Sequence, residues 1–392
     1  MNIFIFTLEF PPFVGGAGYY NYNLAFGLSR IGHKVVVFTC DYPERNEVVE
    51  VDNKLSRENI EVVRGKILQR SKIWLLQSMF CLYKYLKNKK KIYDFILVTD
   101  YRAQLVYSLV YKFVKNKFAI TVYGTEIDLH FKKTSLKRIL IRPLVYEFFS
   151  RAEKIIAVSN FTRDRVCKYE PKWLKKLKVV YCGIDVSEFS GSEIESVINI
   201  REKVGLPINS KIIVSISRII KEKGQDMLIR SLPLIIKKVP NVKLVIIGDG
   251  PYIENLHSLD KELNVSDYII FTGKLPRGDI AYWLKSSDIF ALISREGSRI
   301  EGFGLVYLEA NACGKAVIAG RTGGVPEAVE DGVSGLLVSP TDVNEISSKI
   351  IKLLTDDALR LKLEKQSYNR VCKEFTNTIM AKNTIEALFK NG

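Results

Sequence analysis

The 392-residue sequence contains no Cys-x-x-Cys pair, and its six cysteines, at 40, 81, 167, 182, 313 and 372, have no histidine cluster near them. That spacing points to neither a zinc site nor a secreted disulfide framework, and is expected of reduced, mostly buried thiols. Asp-x-Asp is also absent, so the acidic pair that holds a divalent cation against a diphosphate is missing. So are His-Glu-x-x-His, Gly-x-Ser-x-Gly and the Walker A loop, which removes the usual signatures of zinc proteases, serine hydrolases and P-loop enzymes. The longest apolar run, IWLLQSMFCLY over 73–83, is far short of the roughly 20 residues that span a bilayer. The opening MNIFIFTLEFPPFVGGAG has no basic leader and no small-residue cleavage site, so it is expected to be a first strand and not a signal peptide.

With 47% hydrophobic and 26% charged residues, the chain can bury large cores in more than one domain. Its net charge of +16 is lopsided: residues 1–190 hold 32 Lys and Arg against 18 Asp and Glu. Residues 65–91 alone carry eight basic residues and no acid, interleaved with Trp74, Leu75, Leu76, Phe80, Leu82, Tyr83, Tyr85 and Leu86. Such a stretch suits an anionic membrane surface. It equally describes a solvated helix face whose apolar side lies in a core. Nucleic acid is not expected as a partner, because no nucleic-acid module accompanies the charge.

Short apolar runs alternate with helical pattern twice along the chain. The first set is 2–8, 34–39, 95–99, 118–122 and 154–159; the second is 211–217, 242–248, 268–273, 288–294, 315–320 and 335–339. Buried strands separated by crossover helices predict an α/β protein with two parallel sheets. The polar stretch VSEFSGSEIESVINI over 186–200 marks a linker between them.

Four stretches are candidates for chemistry. GGAG over 15–18 follows the first strand and precedes a helix expected near Tyr19, where N–H groups could meet an anion; it lacks the dinucleotide G-x-G-x-x-G spacing. At least two of Tyr19, Tyr20 and Tyr22 are expected to pack inward. SRIIKEKG over 217–224 puts Arg218 and Lys223 at a strand's C-terminal edge, where two cations suit a diphosphate. EGFGLVYLE over 301–309 places Glu301 in a loop and Glu309 on a helix face shared with Leu305, Leu308 and Ala312. A buried Glu309 needs donors: two adjacent ligand hydroxyls, or a neighbouring backbone that it caps. TGGVPEAV over 322–329 reads as an anion or sugar contact, or simply as a tight turn.

Together these stretches resemble the retaining glycosyltransferases of glycosyltransferase family 4, which have the GT-B fold of two Rossmann-like domains facing across a cleft. The resemblance is strongest over 210–340, where Arg218 with Lys223, FTG (271–273), E-G-F-G-x-x-x-x-E (301–309) and GGVPE (323–327) come in the family's order. It is thinner over GGAG (15–18), YGTE (123–126), AVSNFTRD (157–164) and CGID (182–185).

The resemblance implies an acceptor-binding domain over 1–190, a nucleotide-sugar domain over 200–375, and a final helix over 376–392 that packs on its own domain or crosses back. It assigns Arg218 and Lys223 to the donor pyrophosphate, Glu301 to the donor sugar, and Glu309 to the ribose hydroxyls. Gly273, Lys274 and Leu275 would meet the base; Phe303, Gly304 and Leu305 would hold sugar and phosphate through backbone N–H groups; Gly15 and Gly16 would close on the donor. Tyr123 and Glu126 would contact the donor sugar or the acceptor. Tyr123 stands where the family usually has histidine, and a phenol cannot serve as imidazole would near pH 7.

The implied activity is metal-independent hexosyl transfer, with no cofactor, to a glycan or lipid-linked acceptor at the cytoplasmic membrane face. A nucleotide-sugar isomerase on the same architecture, or a non-catalytic membrane- or nucleic-acid-binding protein, are the alternatives.

Overall fold

The computed structural model describes residues 1–12, 15–43, 45–67, 73–88, 93–114, 116–132, 136–190, 201, 205–207 and 209–389. Part of the basic stretch (68–72 and 89–91) and most of the expected linker (191–200) therefore lie outside the described residues. Two compact units form: Met1–Ile184 with Thr376–Gly392, and Asp185–Phe375.

The first unit is built on a seven-stranded parallel sheet of β1 (Asn2–Phe6), β2 (Lys34–Cys40), β3 (Ile60–Gly65), β4 (Phe95–Val98), β5 (Phe118–Val122), β6 (Lys154–Ala157) and β7 (Leu177–Val179), in the order 3-2-1-4-5-6-7. The central strands are largely apolar, as burial on both faces demands, and β4 and β5 are buried along their whole length. The order in which strands are added reverses between β1 and β4, while all strands stay parallel. There Asp100, at the end of β4, accepts the hydroxyl of Thr7 (2.9 Å) and the N–H of Leu8 (2.6 Å), and also caps the helix Tyr101–Val110. The closing helix Asn377–Phe389 belongs to this unit and packs on the helix Gly16–Arg30; the N–H of Asn377 bonds the carbonyl of Ile184 at 2.8 Å.

The second unit repeats the plan with six parallel strands: β8 (Lys211–Ile216), β9 (Val242–Ile247), β10 (Ile269–Gly273), β11 (Ile289–Leu292), β12 (Ala316–Gly320) and β13 (Gly335–Val338), in the order 10-9-8-11-12-13. Counted within the unit this is 3-2-1-4-5-6, the doubly wound order with its switch point between β8 and β11. Asp288 fixes that junction: its carboxylate accepts the N–H of Ile212 at 2.8 Å, just before the first residue pair of the two central strands, Ile289 and Ile213.

The expected burial of the cysteines is only partly met. Cys40 and Cys182 are buried and the other four are half-buried, all six as free thiols. Burial pushes the Cys313 thiol up to about 12, which disfavours the thiolate.

Candidate functional site

The switch point of the second unit gathers residues from two distant stretches. From β8 the chain passes Arg218 and a short 3-10 turn, Lys221–Lys223, into the helix Gln225–Ile236. From β11 it passes Ser294 and a loop to Glu301, then enters the helix Leu305–Ala312. The ammonium of Lys223 donates to Glu301 Oε2 at 2.5 Å, and the hydroxyl of Ser294 donates to the same oxygen at 3.3 Å. The loop between is tied to the turn it faces. Glu222 accepts both the N–H (3.1 Å) and the hydroxyl (2.5 Å) of Ser298, and Arg295 pairs with Asp226 at 2.9 Å while its N–H bonds the carbonyl of Glu222 at 2.8 Å.

The Gly-Gly loop over 323–324 supports the same carboxylate from behind. Gly324 donates its N–H to the carbonyl of Glu301 at 2.9 Å. Gly323 has a φ of +54°, and a Cβ there would stand 2.2 Å from that carbonyl oxygen. Both conditions require glycine, so the loop's visible work is to seat the Glu301 backbone. Gly304, with φ +99°, opens the helix Leu305–Ala312, whose first N–H groups have no side-chain cap. A Cβ on Gly304 would strike the Tyr307 ring at 2.5 Å. Phe303 is buried against Phe375, with ring centroids 5.7 Å apart, and Leu305 is half-buried. Tyr307 donates to the carbonyl of Leu292 at 3.1 Å, and burial, with the nearby charge of Glu301, pushes its hydroxyl far above the ordinary tyrosine range.

Glu309 is 5% exposed, and its partner is one that sequence reading missed. Arg277 Nη1 donates to Glu309 Oε1 at 2.6 Å, so a cation meets the buried charge and not a capped backbone. The Arg277 guanidinium lies 5.0 Å from the centre of the Phe189 ring, with Nη2 3.9 Å from Glu188. Nothing in the spacing of 277 and 309 announces the pair, since only the fold brings the start of the helix Arg277–Ser286 to the helix of Glu309. Gly273 and Lys274 are exposed at the end of β10, and Leu275 is half-buried. Arg218 is exposed, and among the described residues its guanidinium has no hydrogen bond or ion pair.

In the first unit the helix begins at Gly16, three residues before the expected start, with Gly15 as an extended N-cap. A Cβ on Gly16 would meet nothing within 4 Å, so packing within the chain does not require glycine there. Tyr20 and Tyr22 are buried and Tyr19 is half-buried. Tyr123 is half-buried with its hydroxyl inward; that hydroxyl makes no hydrogen bond among the described residues, and the ring meets Tyr20 edge-on at 5.2 Å. Glu126 is buried and accepts the N–H of Tyr123 at 3.0 Å. Burial pushes its carboxyl up to about 7; the backbone N–H groups that it accepts pull the other way, and the charges of Glu9 and Asp100 add to the rise.

Two parallel doubly wound units, one carrying a lysine-carboxylate pair beside an uncapped helix start at its switch point, define a doubly wound α/β protein with a candidate anion site. A family model described as "Glycosyl transferases group 1" matches residues 196–370, and one described as "Glycosyltransferase Family 4" matches 14–188. A GDP-mannose-dependent alpha-(1-6)-phosphatidylinositol monomannoside mannosyltransferase of Mycolicibacterium smegmatis is 31% identical over 357 residues, covering 89% of this chain and 88% of that one. A D-inositol 3-phosphate glycosyltransferase of Corynebacterium aurimucosum is 27% identical, covering 89% and 85%. The structure of HepE from Anabaena, in complex with UDP and glucose, superimposes with a TM-score of 0.79 over 99% of both chains at 20% identity. The chain belongs to glycosyltransferase family 4, has the GT-B fold, and is a hexosyltransferase.

Proposed function

We propose that the protein is a retaining, metal-independent hexosyltransferase that uses a nucleoside diphosphate sugar and delivers the sugar to a lipid-linked or glycan acceptor at the cytoplasmic face of a membrane. The observation that carries the donor half is the Lys223–Glu301 contact at the switch point, beside the uncapped start of the helix Leu305–Ala312. Arg218, exposed and with no ion pair among the described residues, and Lys223 bind the diphosphate and stabilise its charge as the bond from C1 to the leaving oxygen breaks. Glu301 faces the donor sugar and the positive charge that develops at C1. The acceptor oxygen attacks from the face the diphosphate leaves, and its proton passes to the departing phosphate, so no side-chain base is needed. Gly15, Gly16, Phe303, Gly304 and Leu305 hold phosphate and sugar through N–H groups; Gly273, Lys274 and Leu275 meet the base; Glu309 takes the ribose hydroxyls. Tyr123 and Glu126 serve the acceptor or the donor sugar.

Direct measurement of donor binding tests this reading. The thermal midpoint should rise by several degrees with one of UDP, GDP or ADP, equally with and without EDTA, since ligand at 100 times its dissociation constant stabilises by about 2.7 kcal/mol. GDP is the favoured nucleotide, because the M. smegmatis relative is named for GDP-mannose. A rise that EDTA abolishes would overturn the metal-free site; no rise with any nucleotide would remove the donor reading.

The membrane half rests on the helix Trp74–Asn88. Its inner face, with Ser78 and Leu82, is buried and packs through Leu75 and Met79 on the core, yet Leu76 (64% exposed) and Phe80 (66%) point outward. Phe113, 73% exposed, continues this apolar face through its edge contact with Tyr83, and exposed Lys84, Lys87 and Lys112 flank it. Among the described residues no helix is long and apolar enough to cross a membrane. Apolar side chains ringed by lysines fit an interfacial contact, each lysine near an anionic surface adding about 1 kcal/mol. The protein should float with phosphatidylglycerol vesicles at low salt and with neutral ones far less, and Leu76→Ser with Phe80→Ser should weaken flotation. Failure to float at low salt would sink the membrane contact and leave the transfer reading intact.

A further inference from the structure

We propose that Arg277 is a positioning residue that holds Glu309 in place for the ribose diol of the donor; this rests on the reading of Glu309 above. Three observations point to it. Glu309 Oε1 is taken by Arg277 Nη1 at 2.6 Å, whereas Oε2 has no hydrogen-bond partner among the described residues and is not sealed from solvent. One oxygen is thus anchored and the other is presented. The anchor is itself fixed: Arg277 is stacked on Phe189 at 5.0 Å and flanked by Glu188 at 3.9 Å, so its planar fork cannot rotate without losing both. The pair also lies next to the segment assigned to the base, since Arg277 starts its helix three residues after Lys274.

The chemistry follows from the inventory of donors. A ribose 2′,3′-diol offers two hydroxyl donors about one carboxylate width apart, and a carboxylate accepts them well only when its plane is set. Arg277 sets that plane and compensates the buried charge, leaving Oε2 as the acceptor. Lysine at 277 would keep the charge without the fork.

The test measures discrimination between ribonucleotide and deoxyribonucleotide, a readout that a merely structural role does not move. Dissociation constants of GDP and 2′-deoxy-GDP, and of UDP and 2′-deoxy-UDP, are measured for the intact protein and for Glu309→Gln, Arg277→Gln, Arg277→Lys and the double variant Arg277→Gln/Glu309→Gln. Losing a hydrogen bond to a charged group should make the wild type prefer the ribonucleotide by about tenfold or more. Glu309→Gln and Arg277→Gln should each bring that ratio close to one, Arg277→Lys should restore part of it, and the double variant should match Glu309→Gln alone.

If the wild type shows no preference, the ribose reading of Glu309 fails. If it does, and Glu309→Gln abolishes it while Arg277→Gln keeps it, Glu309 reads the ribose unaided and the proposal for Arg277 is overturned. A double variant that binds both ribonucleotide and deoxyribonucleotide much more weakly than Glu309→Gln would mean that Arg277 touches the nucleotide itself, which also overturns it. Should Arg277→Gln fail to fold, Arg277→Lys decides, since it keeps the charge without the fork: a ratio equal to wild type overturns the proposal.

Discussion

Replacing Lys223 with alanine should lower kcat by about 10²–10³-fold, the cost of removing one preorganised charge partner from a transition state. The substitution does more than delete a cation. Lys223 and Glu301 neutralise each other at 2.5 Å, so without the ammonium the carboxylate would face an incoming diphosphate as a bare like charge. Glu301→Gln keeps the shape and should lose activity on the same scale from the opposite side, by withdrawing negative charge from C1. Both side chains are mostly buried, 25% and 15% exposed, so loss of one partner also costs stability and folding of each variant is checked separately. Single-turnover rates beside a thermal melt separate the two effects. Rates within about twofold of wild type for either variant would remove these residues from the catalytic machinery.

The placement of Lys223 and Glu301 could be read from sequence, though the contact between them could not, and the reason is local. Lys223 follows an apolar strand by a few residues and Glu301 precedes a glycine turn into a helix, so both could be placed at strand ends before any packing was known. The edge strands could not be read so easily. β3 (IEVVRG) carries Glu61 and Arg64 and is half-buried along most of its length, and β7 is three residues long. Edge strands need only one buried face, so the apolar runs that reveal central strands are missing there. The start of the helix at Gly16 was obscured for a related reason: two glycines in its first turn contradict propensity, and the structure tolerates them. The partner of Glu309 was beyond sequence reasoning altogether. A buried carboxylate announces that it needs donors but not which ones, and Arg277 reaches it from the helix that joins β10 to β11, a neighbourhood that only the fold creates.

Glu126→Gln should stabilise the protein at pH 8 and do little at pH 5, while lowering transfer at both. The wild-type carboxyl is buried beside two further acids, Glu9 and Asp100, and among the described residues no cation pairs with it. Its folded pKa of about 7 lies above the ordinary carboxyl value of 4.5, so between these limits the folded state binds more protons than the unfolded chain. Stability therefore falls as pH rises through that window and levels off above it, by at most about 3 kcal/mol at 1.36 kcal/mol per unit. Glutamine cannot ionise, but its carbonyl oxygen can still accept the N–H of Tyr123, so the variant should show none of this slope. Urea midpoints at pH 5 and pH 8 measure the difference directly; parallel pH dependence in the two proteins would show that the carboxyl is not held as described. Folding alone gives no reason to keep an acid that costs stability at neutral pH, and polar groups held at a loss are characteristic of sites where substrate supplies the missing partner. A gain in stability together with a fall in transfer rate is therefore the pattern expected if Glu126 takes a sugar hydroxyl, whereas a more stable variant with unchanged rates would assign the residue no part in the reaction.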